Sequence, residues 1–419
     1  MFAITLPPKV QEIVQALEKS GFEAFVVGGC VRDCLLQAYF THFTSLRPKD
    51  WDIATSATPI EATQVLRSMG FQVVPTGLRY GTISVIDHPA SYEITTYRTD
   101  GDYQDCRKPK EVKFVRRLDM DLSRRDFTIN AMAYNPVLGL IDPFLGREDL
   151  RKGLIRAVGN ANKRFTEDAL RILRALRFAS RLGFQIAPPT HQAIFACQHL
   201  LKFVSKERIT QEFKGIICGE FAYQVCKEYA PILAFILGID LRDSQSLAVL
   251  ARSPNDFFVR ILALISTQSH HTQALSQICA HLRLDKKSQK CITQLVAHIS
   301  LEFCPQDKWL KQHLALLGQE GLEILLALKI AQASAFGLDD TKERLVQIAQ
   351  KIQDILLAQE PFRLQDLCIN GNDLKKLGIK EGKGIKTMLE YALNLVMDKK
   401  VPNSREALMA CIKNFIQSN

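Results

Sequence analysis

Two aspartates, Asp50 and Asp52, flank a single tryptophan, Trp51, in the stretch KDWDIATS. In a β-strand, residues two apart point to the same face. The spacing therefore predicts two carboxylates projecting together, with Trp51 turned the other way into packing. Like charges held side by side repel, and one tends to take up a proton. A divalent cation between them removes that cost. Oxygen-only ligands suit Mg²⁺, which commonly binds one or two carboxylates together with substrate phosphates. Taken alone, the pair reads equally as two solvated charges at a strand end.

Two further features could serve the same chemistry. VVGGCVRD, Val26 to Asp33, sets Gly28 and Gly29 between a buried strand and a helix. Glycine lets a backbone approach a ligand closely, and a helix N-terminus offers free N–H groups to a phosphate. Arg32 adds positive charge in the first turn. The stretch lacks both GK[ST] and GxGxxG, so it is neither a Walker loop nor a dinucleotide fingerprint. By itself it is also compatible with a plain tight turn. A third acid, Glu93, lies in SYEITTYR. Carboxylates on adjacent strands suit metal-assisted phosphoryl or nucleotidyl transfer, although an exposed strand residue would look the same.

The elements that must position these residues can be read by periodicity. FEAFVVGG, DWDIATS, FQVVPTG, YGTISVID and SYEITTYR read as strands. KVQEIVQALEKSG, CVRDCLLQAYF and TPIEATQVLRSMG read as helices, the first ended by Gly21 and the last opened by Thr58 and Pro59. After about Asp142 strand signals nearly vanish and helical patterns run to Gln417. The expected class is α+β: a small head with a mixed sheet, then an all-α remainder. Breaks fall at Gly183–His191, Ala251–Asp256 and Ala358–Arg363. No apolar run approaches the ~20 residues of a membrane helix. The N-terminus lacks the pattern of a signal peptide. Eleven scattered cysteines without a CxxC pair suggest reduced thiols in a cytoplasmic protein. The formal net charge of +10 favours a polyanionic partner.

GGCVRD followed by DWD resembles the head of polymerase-β-type nucleotidyltransferases. RRDFTINA (Arg124 to Ala131), DPFLGREDL (Asp142 to Leu150) and the pattern EDxxRxxRxxRF (Glu167 to Phe178) narrow this. Together they are similar to the motifs of the class II tRNA nucleotidyltransferase/poly(A) polymerase family, over residues 22 to 185. CINGNDLKKLGIKEGKGIKTMLEYAL resembles the C-terminal part of the CCA-adding members. The resemblance implies addition of nucleotides from CTP and ATP to a tRNA 3′ end, without a nucleic-acid template and with release of pyrophosphate. It implies a catalytic head over residues 1–142, a nucleotide-selecting neck over 143–210, a helical body over 211–305 and a tRNA-binding tail over 306–419. Asp50 and Asp52 match the metal ligands, for Mg²⁺, and Glu93 the third catalytic carboxylate. Gly28, Gly29 and Arg32 match the triphosphate contacts. Arg125, Asp126 and Asn130 match residues that address phosphates and ribose. RNA rather than DNA is the expected partner.

FTEDALRILRALRF is expected as one helix carrying Asp168, Arg171, Arg174 and Arg177 at three-residue steps, so that neighbours in the series adjoin. Leu170, Leu173 and Leu176 run alongside as the packing stripe. A salt-bridged helix surface would show the same pattern. The resemblance makes Asp168 and Arg171 an amino-acid template, and the chemistry agrees. A carboxylate only accepts hydrogen bonds and a guanidinium only donates. Cytosine and adenine show an exocyclic amine beside a ring-nitrogen acceptor; uracil and guanine show the reverse. The mismatch costs several kcal/mol, on the order of 10⁴-fold discrimination.

Among relatives, PTGLRYGTISVI resembles the TGxxHGT pattern of the CCA-adding group, with Tyr80 in the histidine's place. Thr99 to Asp121 is expected to be a mobile loop. Asp105, Arg107 and Pro109 match a family loop motif, with Cys106 replacing its glycine. That loop is associated with the switch from C to A, which favours complete CCA addition. A-adding, CC-adding and poly(A)-adding enzymes are the alternatives, and an inactive RNA-binding scaffold is the non-enzymatic one. Lys375, Lys376, Lys380, Lys383 and Lys386 could hold an RNA phosphate or simply be a solvated face.

Overall fold

The computed structural model describes residues 3–417 except 45, 49, 102, 105–107, 110, 242, 269, 380 and 381. The chain forms two compact units, Met1–Ile236 and Leu237–Asn419. The candidate chemistry lies in the first.

That unit is built on strands β1 (Ala24–Val27), β2 (Asp52–Thr55), β3 (Gln72–Gly77), β4 (Thr82–Asp87) and β5 (Ala90–Thr96). Four short strands follow: β6 (Arg98–Asp100), β7 (Tyr103–Gln104), β8 (Lys108–Pro109) and β9 (Val112–Phe114). β10 (Ala133–Asn135) and β11 (Gly139–Ile141) complete the main sheet, whose order is β11-β10-β1-β2-β5-β4-β3. Only β2 and β5 pair in parallel; the other pairs are antiparallel. The sheet is mixed, as expected. Every residue of β1 is buried, which explains its continuous apolar run between two neighbours.

Around this sheet lie α1 (Pro8–Lys19), α2 (Gly29–Tyr39) and α3 (Pro59–Ser68). α3 opens with a reciprocal cap: the Glu61 N–H donates to the Thr58 hydroxyl and the Thr58 N–H donates to the Glu61 carboxylate. α4 (Leu118–Ser123) and α5 (Gly146–Arg151) follow, then β12 (Leu154–Ile155) and α6 (Ala161–Glu167). After them come α7 (Leu170–Leu182), β13 (Gln185–Ile186), α8 (Pro188–Cys197) and α9 (Lys206–Ile217). β12 and β13 make a small parallel pair beyond the predicted head.

Three expectations are corrected. Asp50 and Trp51 precede β2 rather than lie within it, because the ladder to β1 begins only at Asp52, opposite Val27. The segment Thr99–Asp121, expected as a loop, carries secondary structure at both ends: β6 pairs with β9, and α4 closes the stretch. Asp105, Cys106, Arg107 and Lys380 lie outside the described residues. The third correction is that FTEDALRILRALRF is two helices. Asp168 sits between α6 and α7 with extended backbone, φ −142° and ψ 102°. Its own side chain accepts the Leu170 N–H at 3.1 Å. Such local side-chain-to-backbone bonding competes with the helix ladder and favours a helix start. Leu170, Leu173 and Leu176 are buried as the packing stripe of α7.

α10 (Ala222–Glu228) and α11 (Ala230–Leu237) lead to the unit boundary. The second unit is helical throughout its described residues, from α12 (Ser244–Arg252) and α13 (Phe257–Ile265) onward. α14 (His271–His281) comes next. α15 (Lys286–Ala297), α16 (Asp307–Ala335) and α17 (Asp339–Leu357) follow. The last three are α18 (Gly371–Lys375), α19 (Lys383–Met397) and α20 (Arg405–Gln417). They enclose a small core around Leu374, Leu408 and Ile412, while Lys375, Lys376, Lys383 and Lys386 are exposed. No helix among the described residues is long and apolar enough to cross a membrane.

Candidate active site

β1 ends where β2 begins. Val27 pairs with Asp52, so the turn at Gly28 and Gly29 starts beside the Asp52 carboxylate. On the other side β2 runs parallel to β5, with Ile53 opposite Ile94. One step before that pair lie Asp52 and Glu93, which puts their side chains on one face. Asp50, Asp52 and Glu93 are all exposed, while Trp51 is buried behind them. The Asp52 carboxyl is pushed above its ordinary value. Desolvation is the main cause; Arg125 opposes it, and the charges of Glu93 and Asp50 add to it. The acids thus stand close enough to repel one another.

Gly28 has φ +78°, a left-handed conformation that favours glycine. A Cβ there would lie 2.8 Å from Nη1 of Arg125. α2 starts at Gly29 and carries Arg32 in its first turn. Arg32 Nη1 donates to Asn130 Oδ1 at 2.6 Å, Asn130 Nδ2 donates to Asp126 Oδ1 at 3.1 Å, and Arg174 Nε donates to Asp126 Oδ2 at 2.7 Å. This chain ties the glycine turn to α7. Burial works against the charge on Asp126, yet Arg174 and the Asn130 amide hold its carboxyl down to about 2.

On α7, Arg171 is buried. Its Nη1 donates to Glu167 and to the Arg164 carbonyl, and its Nη2 to the Arg124 carbonyl. By the donor inventory of arginine, Nε–H and one Nη2–H are left over. Arg177 Nε donates to Glu212 on α9 at 2.6 Å. Arg32, Arg174 and Arg177 all lie over the Phe178 ring, 5.0, 5.7 and 4.7 Å from its centroid. Contact with one aromatic ring, together with the carboxylates of Asp33, Asp126 and Glu212, lets three like charges share a small space.

Asp52, Gly28, Gly29, Arg32, Arg125, Asp126, Asn130, Asp168, Arg171, Arg174 and Arg177 line one cleft of about 460 Å³. Of the predicted site residues, only Asp50 and Glu93 are not among its walls; they flank Asp52. Sequence reasoning missed four participants. Phe178 and Arg124 stand inside quoted motifs but had no role assigned. Asp121 is buried and accepts hydrogen bonds from Arg124 and Arg125, which fixes both arginines. Arg208, on α9, holds Asp168 through both of its carboxylate oxygens.

Comparison with known proteins decides the family. A poly A polymerase head domain matches residues 24–156, a probable RNA and SrmB-binding site of polymerase A matches 183–229, and a putative tRNA nucleotidyltransferase domain 2 matches 259–412. The CCA-adding enzyme of Ligilactobacillus salivarius is 34% identical over 98% of this chain and 96% of its own. This chain belongs to the CCA-adding enzyme family. The CCA-adding enzyme of Lactobacillus delbrueckii subsp. bulgaricus is 37% identical over 94% of this chain and 95% of its own. The crystal structure of the Bacillus stearothermophilus CCA-adding enzyme in complex with CTP matches with a TM-score of 0.77 and 30% identity, covering 99% of both chains. The family resemblance and the α+β class read from the sequence are both borne out.

Nucleotidyltransferases of this family use divalent metal ions. The donors here fit one. Asp52 carries a raised carboxyl beside two further acids, a repulsion that a cation would relieve. Among the described residues no three His, Cys, Asp or Glu side chains form a ready cage. An open pair of carboxylates, completed by substrate phosphates, is a kind of site that a hard divalent cation takes.

The glycine turn gives a direct test. Gly28→Ala forces an L-residue into a left-handed conformation and drives its Cβ against Arg125. The guanidinium is the flexible end of a side chain, so it moves rather than the backbone. The expected result is a rise of roughly tenfold in KM for CTP and ATP alike, with kcat changed less. Steady-state kinetics with each nucleotide check this; an unchanged KM would count against a triphosphate contact at Gly28.

Proposed function

We propose that this protein completes the 3′ end of tRNA, adding C, C and A in turn from CTP and ATP, with pyrophosphate as the second product and no nucleic-acid template. The observation that carries the reading is the single cleft in which the Asp52 carboxylate, the glycine turn and the arginines of α7 meet. Family membership across nearly the whole chain supports it.

In this reading Asp50 and Asp52 hold Mg²⁺, which when bound favours attack by the RNA 3′ hydroxyl on the α-phosphorus and offsets charge on the phosphates. Glu93 stands as the third carboxylate. Gly28 and Gly29 let the triphosphate approach the backbone, and Arg32 and Arg125 meet its charge. Asp126, already ionised and anchored by Arg174 and Asn130, suits a ribose hydroxyl donor. Asp168 and Arg171 read the base, with Arg174 and Arg177 shaping the same wall. The head, neck, body and tail fall at residues 1–142, 143–210, 211–305 and 306–419, the tail holding tRNA. The enzyme works in the cytoplasm.

Incubation of tRNA lacking its 3′ end with labelled CTP, ATP and Mg²⁺ tests the function. Sequencing the product should give CCA and then a stop. Long A-tails on generic RNA, termination after CC, or no incorporation would each overturn it.

A further inference from the structure

A second cavity, of about 390 Å³, opens at the C-terminal end of α7 and shares no residue with the arginine-lined cleft. Its floor is apolar: Phe184, Val225 and Tyr229 are buried, and Phe221 is half-buried. Its polar residues, Gln185, Gln224 and Glu228, are exposed. The backbone makes room for the Phe221 ring. Gly183 ends α7 at φ +70°, and a Cβ there would lie 2.7 Å from Cζ of Phe221. The rings also continue outward. Phe184 lies 6.2 Å from the Phe40 ring, Phe40 lies 6.1 Å from Phe43, and the exposed His42 ring sits 4.1 Å from Phe43.

A floor of rings suits a flat aromatic ligand. The Tyr229 hydroxyl already meets His191 Nδ1 at 2.8 Å, so Tyr229 serves as wall. The amides of Gln185 and Gln224 both donate and accept, and Glu228 accepts. Such a rim can meet the edge of any nucleobase without demanding one. Two exposed cations stand on the helices that wall the cavity, Arg181 on α7 and Lys227 on α10. Ring surfaces beside positive charge are what single-stranded nucleic acid binds, because every base has a π-face and every nucleotide a phosphate. A base inside a duplex offers neither: its faces are stacked and its pairing edge is used. The cavity lies on the helix that carries the arginine wall, since Ala179, one of its lining residues, directly follows Phe178.

We propose that this cavity seats one unpaired base of the RNA substrate, outside the catalytic cleft, against the rings of Phe184 and Phe221 and under the Gln185 and Gln224 amides. This rests on the reading of RNA as the substrate. The cavity holds the strand and takes no part in the reaction or in the choice of incoming nucleotide. Its contribution is therefore to RNA affinity, and it tolerates any base, because stacking is indifferent to sequence and an amide can present either its oxygen or its nitrogen.

The test measures, on the full-length protein by fluorescence anisotropy, affinity for tRNA lacking its 3′ end and for a blunt, fully paired RNA duplex. The duplex supplies phosphates but no free base. Phe221→Leu should weaken tRNA binding by about tenfold and duplex binding by less than about twofold. Gln224→Ala, a truncation at an exposed position, should weaken tRNA binding by about threefold, and it carries the test if Phe221→Leu does not fold. In steady-state assays KM for the tRNA should rise in step, while KM for CTP and the preference for CTP over UTP stay at wild-type values. Equal losses for tRNA and duplex would overturn the inference, since they mark a phosphate contact or a general effect on the fold. So would wild-type tRNA affinity in the folded variants, or a rise in KM for CTP as large as that for tRNA. The wild-type protein separates the two claims. If it adds CCA to this tRNA while the variants bind as it does, the cavity alone is wrongly assigned. If it neither binds nor extends RNA, the reading of RNA as substrate fails and this one with it.

Discussion

Replacing Asp50 and Asp52 together by asparagine is expected to lower turnover by roughly 10³- to 10⁵-fold, several kcal/mol of barrier, without unfolding the protein. Asparagine keeps the shape and most of the hydrogen bonding of aspartate but not the charge that binds a cation. Both residues keep much of their surface accessible, and asparagine fits the partly desolvated place of Asp52 without a change of shape. In the free protein the substitution even relieves a cost, because desolvation above all, with the charges of Glu93 and Asp50, pushes the Asp52 carboxyl upward against the pull of Arg125. The variant should therefore melt at or slightly above the wild-type temperature in the presence of a chelator. Adding Mg²⁺ with CTP should raise the wild-type melting temperature through preferential binding to the native state. The variant should show a smaller rise. Turnover that survives the double substitution would sink the assignment of these aspartates. A melting temperature far below wild type would instead mean that the pair is structural. Sites that hold like charges together commonly trade stability for activity in this way.

The parts of this site that were legible in the sequence are those whose chemistry is local. Asp50 and Asp52 are two residues apart, and although only Asp52 belongs to β2, both are exposed with Trp51 buried between them, as the spacing predicts. Gly28 and Gly29 follow an apolar run and precede helical spacing, so residue types in order were enough to read a strand, a turn and a helix. Arg171, Arg174 and Arg177 could be placed on one side of a helix by counting. What could not be read depends on segments distant in the chain. Asp168 and Arg208 are separated by 40 positions, and Arg177 and Glu212 by 35. No periodicity connects them. Asp121 was invisible for a related reason: a buried aspartate that fixes two arginines looks like any surface acid until its burial is known. Asp168 itself misled. Its neighbours on both sides have helical spacing, and only the competition between its side chain and the ladder at Leu170 breaks the run. The break matters functionally, since a carboxylate at a helix start can aim along the cleft, whereas one locked in mid-helix follows its face.

Substituting Asp168 by alanine should change which base is added more than how tightly the triphosphate is held. The proposed phosphate contacts lie elsewhere, at Gly28, Gly29, Arg32 and Arg125. Removing the carboxylate deletes the only acceptor in the pair proposed to read the base and leaves Arg171 as a donor. A lone donor can meet the ring nitrogen of cytosine or adenine, but it can equally meet a carbonyl of uracil or guanine. The mismatch penalty that rejected U and G is then largely gone. Discrimination between CTP and UTP should fall by a factor on the order of 10²–10⁴ in kcat/KM, while KM for CTP rises by only about tenfold or less. Arg208 adds a second consequence. With Asp168 gone, its guanidinium loses its partner in a cleft already lined with arginines, and its charge becomes available to the substrate phosphates. That gain partly offsets the lost base contact and works in the same direction, towards binding without selectivity. Competition assays with all four nucleotides, scored by sequencing the extended tRNA, would show U and G entering where wild type inserts C. If KM for CTP rises as steeply as selectivity falls, Asp168 acts in general nucleotide binding, and base choice resides in another part of the cleft.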